Sequence, residues 1–331
     1  MRTTETPDLL ARRRATIGAA SPTFYDEPLE LVSGSGVWLT DARGARYLDG
    51  YNNVPHVGHA NPVVADAVCR QMRTINLSTR YLHTGVVDCA EALLAHFDGD
   101  LRRVAFTNSG SESNDLALRM AHQHTGNTGI LVSDWSYHGN TASLAELTTG
   151  LAFHEPFGQH VRALHIPDGH AVGPDDEGYV LQEALSEVDR AISSLDAAGH
   201  GVSAVLFDPL FSTEGLVAPP AGYVEGLAAR VRAAGGMVIA DEVQSGFGRI
   251  GSSMWGYQMY GVQPDLVVLG KPMGNGHPIS AVVTTEDLLE EFGARNDYFN
   301  TFAGTPVSAA AALAVLRVVR EDGLMGRAEA L

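Results

Sequence analysis

Lysine is nearly absent from this sequence: all but one of its 22 basic residues are arginine, and the exception is Lys271. An arginine guanidinium stays charged in proteins, so it cannot act as the free amine that forms a Schiff base with an aldehyde. Any chemistry in this chain that needs a deprotonated side-chain amine therefore depends on Lys271.

Cysteines and long apolar stretches are also scarce. Cys69 and Cys89 are too few for a disulfide framework and indicate a reducing, cytoplasmic location, in which buried cysteines act as small apolar residues. The longest apolar stretch, residues 309–316, is far too short to cross a bilayer, and the arginines at 12–14 precede no hydrophobic signal core. The sequence thus predicts neither export nor contact with a membrane.

Acidic residues outnumber basic ones, and the formal net charge is −17. Because nucleic acids are bound through an excess of lysine and arginine, we expect no nucleic acid partner. An anionic ligand would have to be held by local features of the fold. The length of 331 residues and the 45% apolar content suffice for one large core or two smaller ones.

Short apolar runs alternate with stretches of helical period from about residue 60 onward. The turn-rich residues 31–50 come first and predict a short antiparallel meander. The apolar runs predict strands at residues 103–107, 129–134, 204–208, 237–241, 265–270 and 279–284. The alternation indicates an α/β fold with a mostly parallel central sheet and helices on both faces. In such sheets, ligands bind at the carboxyl ends of the strands.

The sequence divides into an N-terminal segment (1–58), a large domain (59–305) and the start of a C-terminal domain (306–331). The last part has the alanine, leucine and arginine content of a long helix. Because its pattern stops in mid-course, we expect this C-terminal domain to be truncated.

The first strand-end motif is TNSGSESND at residues 107–115. It follows a predicted strand and opens a helix, so the amides of Gly110 and Ser111 would be directed outward at a helix N-terminus, an arrangement that binds phosphate. An ordinary capped helix is the alternative, since Ser109 and Glu112 fit a capping box.

Two further strand ends carry polar or aromatic residues. Tyr137 and His138 follow the strand at 129–134, where an aromatic face could stack on a flat ring, although such a pair more often serves packing. Asp241 and Glu242 end the strand at 237–241. A carboxylate there could pair with a protonated pyridine nitrogen, but it could equally be a metal ligand or a helix N-cap.

Lys271 completes the set, because it lies just beyond the apolar run LVVLG. A solvated surface lysine is the alternative. The neighbouring segment PMGNGHP has no surface-helix character, however, and this favours a lysine at the edge of the sheet. A phosphate site, an aromatic plate, a carboxylate and a lysine thus follow one another, each directly after a strand.

In their order and their residues, these motifs resemble those of the class III (ornithine and omega-amino acid) aminotransferases of fold type I. The resemblance extends from Tyr47 to Leu331. The resemblance implies that pyridoxal 5'-phosphate (PLP) is the cofactor and that residues 59–305 bind it. The cofactor contacts that the resemblance implies are Gly110, Ser111, Tyr137, His138, Asp241, Val243, Gln244, Lys271 and Thr301.

The family implies a role for most of these positions. Gly110 and Ser111 would hold the cofactor phosphate. Three residues would be catalytic: Tyr137 stacked on the pyridine ring, Asp241 paired with its nitrogen, and Lys271 joined to the cofactor as a Schiff base.

Two further contacts concern the other side of the cofactor and a second subunit. Gln244 would lie near the phenolic oxygen. Thr301 would reach the phosphate bound by a second subunit, so the resemblance implies a homodimer with shared active sites.

The segment DPLFSTEG at residues 208–215 departs from the family pattern. Asp208 replaces a glutamate, and Thr213 stands where a second glutamate is usual, so ordinary omega-transamination is in doubt. Segments at 53–62, 78–83, 269–278 and 298–308 are similar instead to the ethanolamine-phosphate and phosphohydroxylysine phospho-lyase branch, also called alanine-glyoxylate aminotransferase 2-like.

That branch implies elimination of phosphate from O-phosphoethanolamine, a phosphorylated amine. We expect Arg80 to bind the substrate phosphate, assisted by Tyr81 and His83, although a structural arginine fits as well. Two other readings stay open: a class III omega-amino acid:keto acid aminotransferase, and a non-catalytic protein of the same fold.

Overall fold

The computed structural model describes residues 6–18, 20–171, 173 and 176–331. Residues 1–5 and 19 of the predicted N-terminal segment lie outside this description. Contacts divide the chain into two units, one formed by Met1–Asn52 with Gly58–Asn61 and the other by Asn53–Val57 with Pro62–Leu331. The division of the sequence at residues 58 and 305 stays a prediction.

The first unit contains the antiparallel meander that the sequence predicts. Helix α1 (Thr6–Thr16) precedes strands β1 (Leu31–Ser35), β2 (Trp38–Asp41) and β3 (Arg46–Leu48), which pair in chain order. Asp41 closes the turn between β2 and β3, because its carboxylate accepts hydrogen bonds from the backbone amides of Arg43 (2.9 Å) and Ala45 (2.8 Å).

The second unit is built on a seven-stranded sheet in the order β4-β10-β9-β8-β7-β5-β6. Its strands are β4 (Arg103–Thr107), β5 (Gly129–Ser133), β6 (Val161–Leu164), β7 (Val202–Phe207), β8 (Met237–Asp241), β9 (Leu266–Leu269) and β10 (Ser280–Thr284). All neighbours pair in parallel except β10, which is antiparallel to both β9 and β4. The predicted mostly parallel sheet is confirmed, and β6, a short strand at the edge, is an addition.

Helices cover both faces of this sheet. They are α2 (Pro62–Thr74), α3 (Thr84–Leu94), α4 (Gly110–Thr125), α5 (Ala142–Ala145), α6 (Glu177–Ala197), α7 (Tyr223–Ala233), α8 (Glu286–Arg295), α9 (Pro306–Glu321) and α10 (Leu324–Ala330). None of the helices in the described ranges is both long enough and apolar enough to cross a membrane.

Side chains of the central strands alternate between two apolar cores. On β8, Val238 and Ala240 belong to one core and Ile239 to the other. This alternation follows from the pleat, which directs successive side chains to opposite faces. Because both faces are covered, the strands are largely apolar, and all five residues of β8 are buried. Polar side chains are therefore concentrated at the strand ends.

Candidate active site

The first strand-end motif forms the start of α4. Ser109 is the N-cap, and its hydroxyl accepts a hydrogen bond from the amide of Glu112 at 3.2 Å. The Glu112 carboxylate binds the amide of Asn108 at 2.8 Å instead of that of Ser109, so only half of the predicted capping box forms. First-turn amides have no partners within a helix, and those of Gly110 and Ser111 are thus suited to an anion.

Val243 brings three of the motifs together. A Cβ atom added to Gly110 would lie 2.9 Å from a methyl carbon of Val243, and one added to Gly270 would lie 3.0 Å from the other methyl carbon. Both glycines are therefore required for this close approach. The start of α4, the segment after β8 and the residue before Lys271 meet around a single side chain.

Asp241 lies at the carboxyl end of β8 and is almost completely buried. One carboxylate oxygen accepts from the amide of Val243 (3.0 Å), and the other accepts from Nδ2 of Asn114 (2.9 Å) and Nδ1 of His138 (2.7 Å). A carboxylate has about four lone pairs, so room remains for one more donor. Since Nδ1 of His138 donates, a neutral ring leaves Nε2 as an acceptor, and Nε2 is buried without a partner among the described residues.

The residue that sequence reasoning missed here is Asn114. It lies one turn after Gly110 on α4, and its amide also donates to the backbone oxygen of His138 at 2.7 Å. Its position four residues from the glycine was an available signal, because residues at this spacing share a helix face.

Lys271 begins a short 3-10 segment, Lys271–Gly274, directly after β9. Burial lowers the pKa of its ammonium group, while the carboxylates of Asp241 and Asp208 act in the opposite direction. The amine thus loses its proton at a lower pH than a lysine in water does, and the carboxylates of Asp241 and Asp208 are close enough to act on its charge. This combination is typical of a reactive lysine.

Gln244 belongs to a neighbouring chain of hydrogen bonds. Its Nε2 donates to the hydroxyl of Ser212 at 2.8 Å, and its Oε1 accepts from Nδ2 of Asn53. The hydroxyl of Ser212 in turn donates to Asp208. Sequence reasoning singled out Gln244 and Asp208 but missed Asn53 and Ser212.

Comparison with known proteins shows which family builds such a site. The sequence model of the family described as "Aminotransferase class-III" matches residues 22–331. The chain belongs to the class-III aminotransferase family. Membership confirms the resemblance drawn from the strand-end motifs and makes PLP the cofactor of this fold.

Two curated relatives are similar to nearly the whole chain. The alanine–glyoxylate aminotransferase 2-like protein of Drosophila melanogaster is 42% identical over 96% of this chain and 66% of its own length. The ethanolamine-phosphate phospho-lyase homolog 1 of Caenorhabditis elegans is 37% identical over 96% of this chain and 71% of its own length. The chain therefore spans about two thirds of these relatives.

A solved structure is more similar still. A phospholyase from Arthrobacter in complex with phosphoethanolamine is 69% identical, with a TM-score of 0.95 over 96% of this chain and 76% of that chain. Its fold agrees with the sheet described above, which confirms the fold type that the sequence predicts.

The residues of this chain fit the cofactor of the family. The protonated nitrogen of a planar ring can donate to the remaining lone pair of Asp241, and the oxygens of a phosphate can accept from the amides in the first turn of α4. The only lysine of the chain would supply the amine for the cofactor aldehyde. Tyr137 is half-buried between the buried residues Ser136 and His138, and its stacking on the ring stays a prediction.

Glu242, the neighbour of Asp241, serves the backbone instead. Its carboxylate accepts from the hydroxyl of Ser245 (2.7 Å) and from the amides of Gly256 (2.8 Å) and Tyr257 (2.8 Å). Burial raises the pKa of Glu242 to about 7. Within the described ranges, no group of three or more His, Cys, Asp or Glu side chains is arranged to hold a metal ion.

We predict that Glu242→Gln lowers the free energy of unfolding by about 1–3 kcal/mol, because an amide nitrogen would face backbone N–H donors. Denaturant unfolding measures the change. The difference in unfolding free energy between wild type and variant should narrow as the pH rises from 4.5 to about 7. The reason is that a carboxyl group with a raised pKa stabilises the fold most when it is protonated. Unchanged stability with loss of the cofactor would instead assign Glu242 to the site.

The loop that carries Thr301 lies beside the start of α4. Asn300 donates to Glu112 at 3.0 Å and accepts from Nδ2 of Asn108 at 2.8 Å. Thr301 itself is exposed. Its contact with the phosphate bound by a second subunit stays a prediction. The hydrogen bonds of Asn300, which hold the preceding residue in place, are compatible with that contact.

The three predicted substrate residues lie apart from the Asp241 network. The guanidinium of Arg80 stacks 4.3 Å from the ring centroid of Phe299, and Tyr81 is 70% exposed. Nε2 of His83 lies 3.5 Å from the side-chain amide of Gln71. Among the described hydrogen bonds and ion pairs, none links Arg80, Tyr81 or His83 to Asp241.

Proposed function

We propose that this protein is a PLP-dependent phospho-lyase that eliminates phosphate from O-phosphoethanolamine and yields acetaldehyde, ammonia and phosphate. The observation that carries the proposal is the likeness, over nearly the whole chain, to the Arthrobacter phospholyase in complex with phosphoethanolamine. The site geometry supports it, because the residue before Lys271, the buried carboxylate of Asp241 and the N-terminus of α4 meet around Val243.

Lys271 has two tasks in this reaction. Its amine would hold the cofactor through the aldehyde until the amine of the substrate replaces it there. The released Nζ accepts the proton from the carbon next to the substrate nitrogen, a step that the lowered pKa of Lys271 favours. When bound, PLP withdraws electrons from this carbon.

Asp241 and the first turn of α4 hold the cofactor in place. Three donors hold the Asp241 carboxylate in place, and its last lone pair can accept from the ring N–H. The amides of Gly110 and Ser111 bind the cofactor phosphate. In the substrate, the C–O bond to phosphate breaks, phosphate leaves with the electron pair, and one water hydrolyses the remaining fragment to acetaldehyde and ammonia.

Arg80 is proposed to bind the substrate phosphate, with Tyr81 and His83 beside it. Stacking on Phe299 occupies the face of the guanidinium. The N–H donors lie in the plane of the group, have no partner among the described residues and can form a two-pronged contact with a phosphate. A strongly acidic chain needs such a local cation for an anionic substrate.

We predict that Arg80→Lys raises the KM for O-phosphoethanolamine about 10- to 100-fold while cofactor absorbance is unchanged, because lysine keeps the charge but loses the planar fork. Phosphate release is the assay, and Arg190→Lys, on a surface ion pair with Glu183, is the matched control. Equal KM values would show that Arg80 does not bind substrate.

Alanine with a keto acid serves as the transamination assay for the same proteins. The class-III family also contains aminotransferases, and the same lysine and carboxylate serve both reactions. Efficient amino transfer by the wild type without phosphate release would replace the lyase by the aminotransferase.

A homodimer with shared active sites is part of the proposal. Thr301 lies between two exposed aromatic residues, Phe299 (51% exposed) and Phe302 (71%), and Leu82 is fully exposed. Exposed apolar side chains grouped in this way are typical of interfaces. Sedimentation equilibrium tests the proposal, and a monomer that binds PLP tightly would contradict it. The cytoplasmic location stays a prediction from the cysteine content.

A further inference from the structure

A directional chain of hydrogen bonds crosses the site beside Lys271. It runs from Nδ2 of Asn53 to Oε1 of Gln244, from Nε2 of Gln244 to the hydroxyl of Ser212 (2.8 Å), and from that hydroxyl to Asp208. Asp208 stands where the family has a glutamate. Every member of this chain except Gln244 lies outside the cofactor contacts that the family implies.

The carboxylate of Asp208 determines the direction of the whole chain. Its two oxygens already accept from the amides of Leu210 (2.9 Å) and Ser212 (3.2 Å), and an ionised carboxylate can only accept. The single O–H of Ser212 must therefore point to Asp208. The Ser212 oxygen must then accept from Gln244, which leaves Gln244 with its nitrogen toward Ser212 and its oxygen toward Asn53.

Arg249 fixes the same two residues through their backbones. Its Nε donates to the carbonyl oxygen of Gln244 at 2.9 Å, and its Nη2 donates to the carbonyl oxygen of Asn53 at 2.9 Å. Nη2 also lies 3.1 Å from Nδ1 of His56, whose Nε2 contacts the carbonyl oxygen of Phe247. Because the backbones are held in place, the remaining freedom of Gln244 is the orientation of its amide.

We infer that Asp208 and Ser212 are positioning residues that orient the Gln244 amide so that its second N–H faces the phenolic oxygen of PLP. The inference rests on the proposed function, which supplies the cofactor. An amide turned the other way would present its oxygen to this negatively charged oxygen and repel it. Without Asp208 or the Ser212 hydroxyl, only the hydrogen bond from Asn53 still favours this orientation of the amide.

The charges around Asp208 define the pH range of this device. The negative charge of Asp241 raises the pKa of Asp208. The negative charge of Asp208 in turn acts to raise the pKa values of Glu242, Tyr260 and Lys271, of which Lys271 carries the opposite charge. Burial raises the pKa of Asp208 to about 6, so the carboxylate is ionised at neutral pH. The direction of the hydrogen bonds is fixed above that pH.

Spectrophotometric titration of the cofactor bound to Lys271 tests the inference. A donor at the phenolic oxygen draws negative charge from it and weakens its hold on the proton of the neighbouring linkage nitrogen. We expect Ser212→Ala to raise the midpoint by about one pH unit, the worth of one hydrogen bond. Asp208→Asn should raise it by less, because this change also removes a negative charge that favours a protonated nitrogen at Lys271. Ser212→Thr keeps the hydroxyl and should restore the wild-type midpoint.

Ser253→Ala is the matched control, since the Ser253 hydroxyl donates to the carbonyl oxygen of Trp255 and lies outside the chain. Its midpoint should equal that of the wild type. A bound cofactor whose midpoint is the same in Ser212→Ala would overturn the inference alone. A wild type that forms no linkage with PLP would overturn the proposed function and the inference with it.

Discussion

Replacement of Lys271 by alanine is expected to abolish covalent attachment of the cofactor. No other lysine exists in the chain, so no neighbouring amine can take over. Turnover should fall by at least about 10²- to 10⁴-fold from loss of the general base alone. Borohydride reduction followed by mass spectrometry of the peptides measures the attachment, and in the wild type it should mark the peptide that contains residue 271.

Lys271→Arg is the control for charge. It keeps a cation in the pocket, but a guanidinium does not form the linkage at neutral pH, so this variant should fail as completely as the alanine variant. A reducible adduct that persists in either variant at a site other than the N-terminal amine would remove Lys271 from the mechanism.

Asp241→Asn is expected to lower turnover about 10²- to 10³-fold while the cofactor stays attached to Lys271. An asparagine nitrogen at either oxygen position would meet a donor, since both oxygens accept from N–H groups of Val243, Asn114 or His138. The ring nitrogen would then lose the negative charge that keeps it protonated.

Glu242→Gln provides the matched comparison for Asp241→Asn. The two residues are adjacent, buried and acidic, yet Glu242 binds the amides of Gly256 and Tyr257. Steady-state turnover of the two variants, corrected for the folded fraction, should therefore differ by about 10²-fold. Similar losses in both would mean that the effect of Asp241 is one of stability.

Local pattern was sufficient for the sheet and for the residues at its strand ends. Strands that are covered on both faces are apolar almost to their ends, as β8 is up to Ala240, so the polar residues at those ends are easily recognised. The places of Lys271, Asp241 and Gly110 at or just after strand ends are predicted in this way, whereas their roles stay predictions. Strand β6 was not, because it is short and lies at the edge of the sheet, where burial is incomplete.

The partners of these residues could not be read from the sequence. Asn114 and Asp241 are separated by 127 positions, and Asn53 and Gln244 by 191. The periodicity of apolar residues indicates which residues are buried, but it does not indicate which polar groups meet across the fold. The sequence therefore left Glu242 open as a metal ligand or a cap, and only its contacts with three donors decide its role.

Exposed residues are the least determined by sequence. Arg80, Tyr81 and Thr301 owe their predicted roles to the family alone, and their surroundings in this chain are Phe299 and the exposed surface near it. A second subunit would change these surroundings. Experiments on substrate and assembly, not further pattern analysis, decide these roles.

The most direct test of the account is a time course of the purified holoenzyme with O-phosphoethanolamine and no keto acid. Inorganic phosphate and acetaldehyde are measured in the same samples. Elimination predicts that both products accumulate in equal amounts over many turnovers, since the cofactor is regenerated without an amino acceptor. Product formation that stops after one equivalent per active site, or that requires a keto acid, would contradict the account.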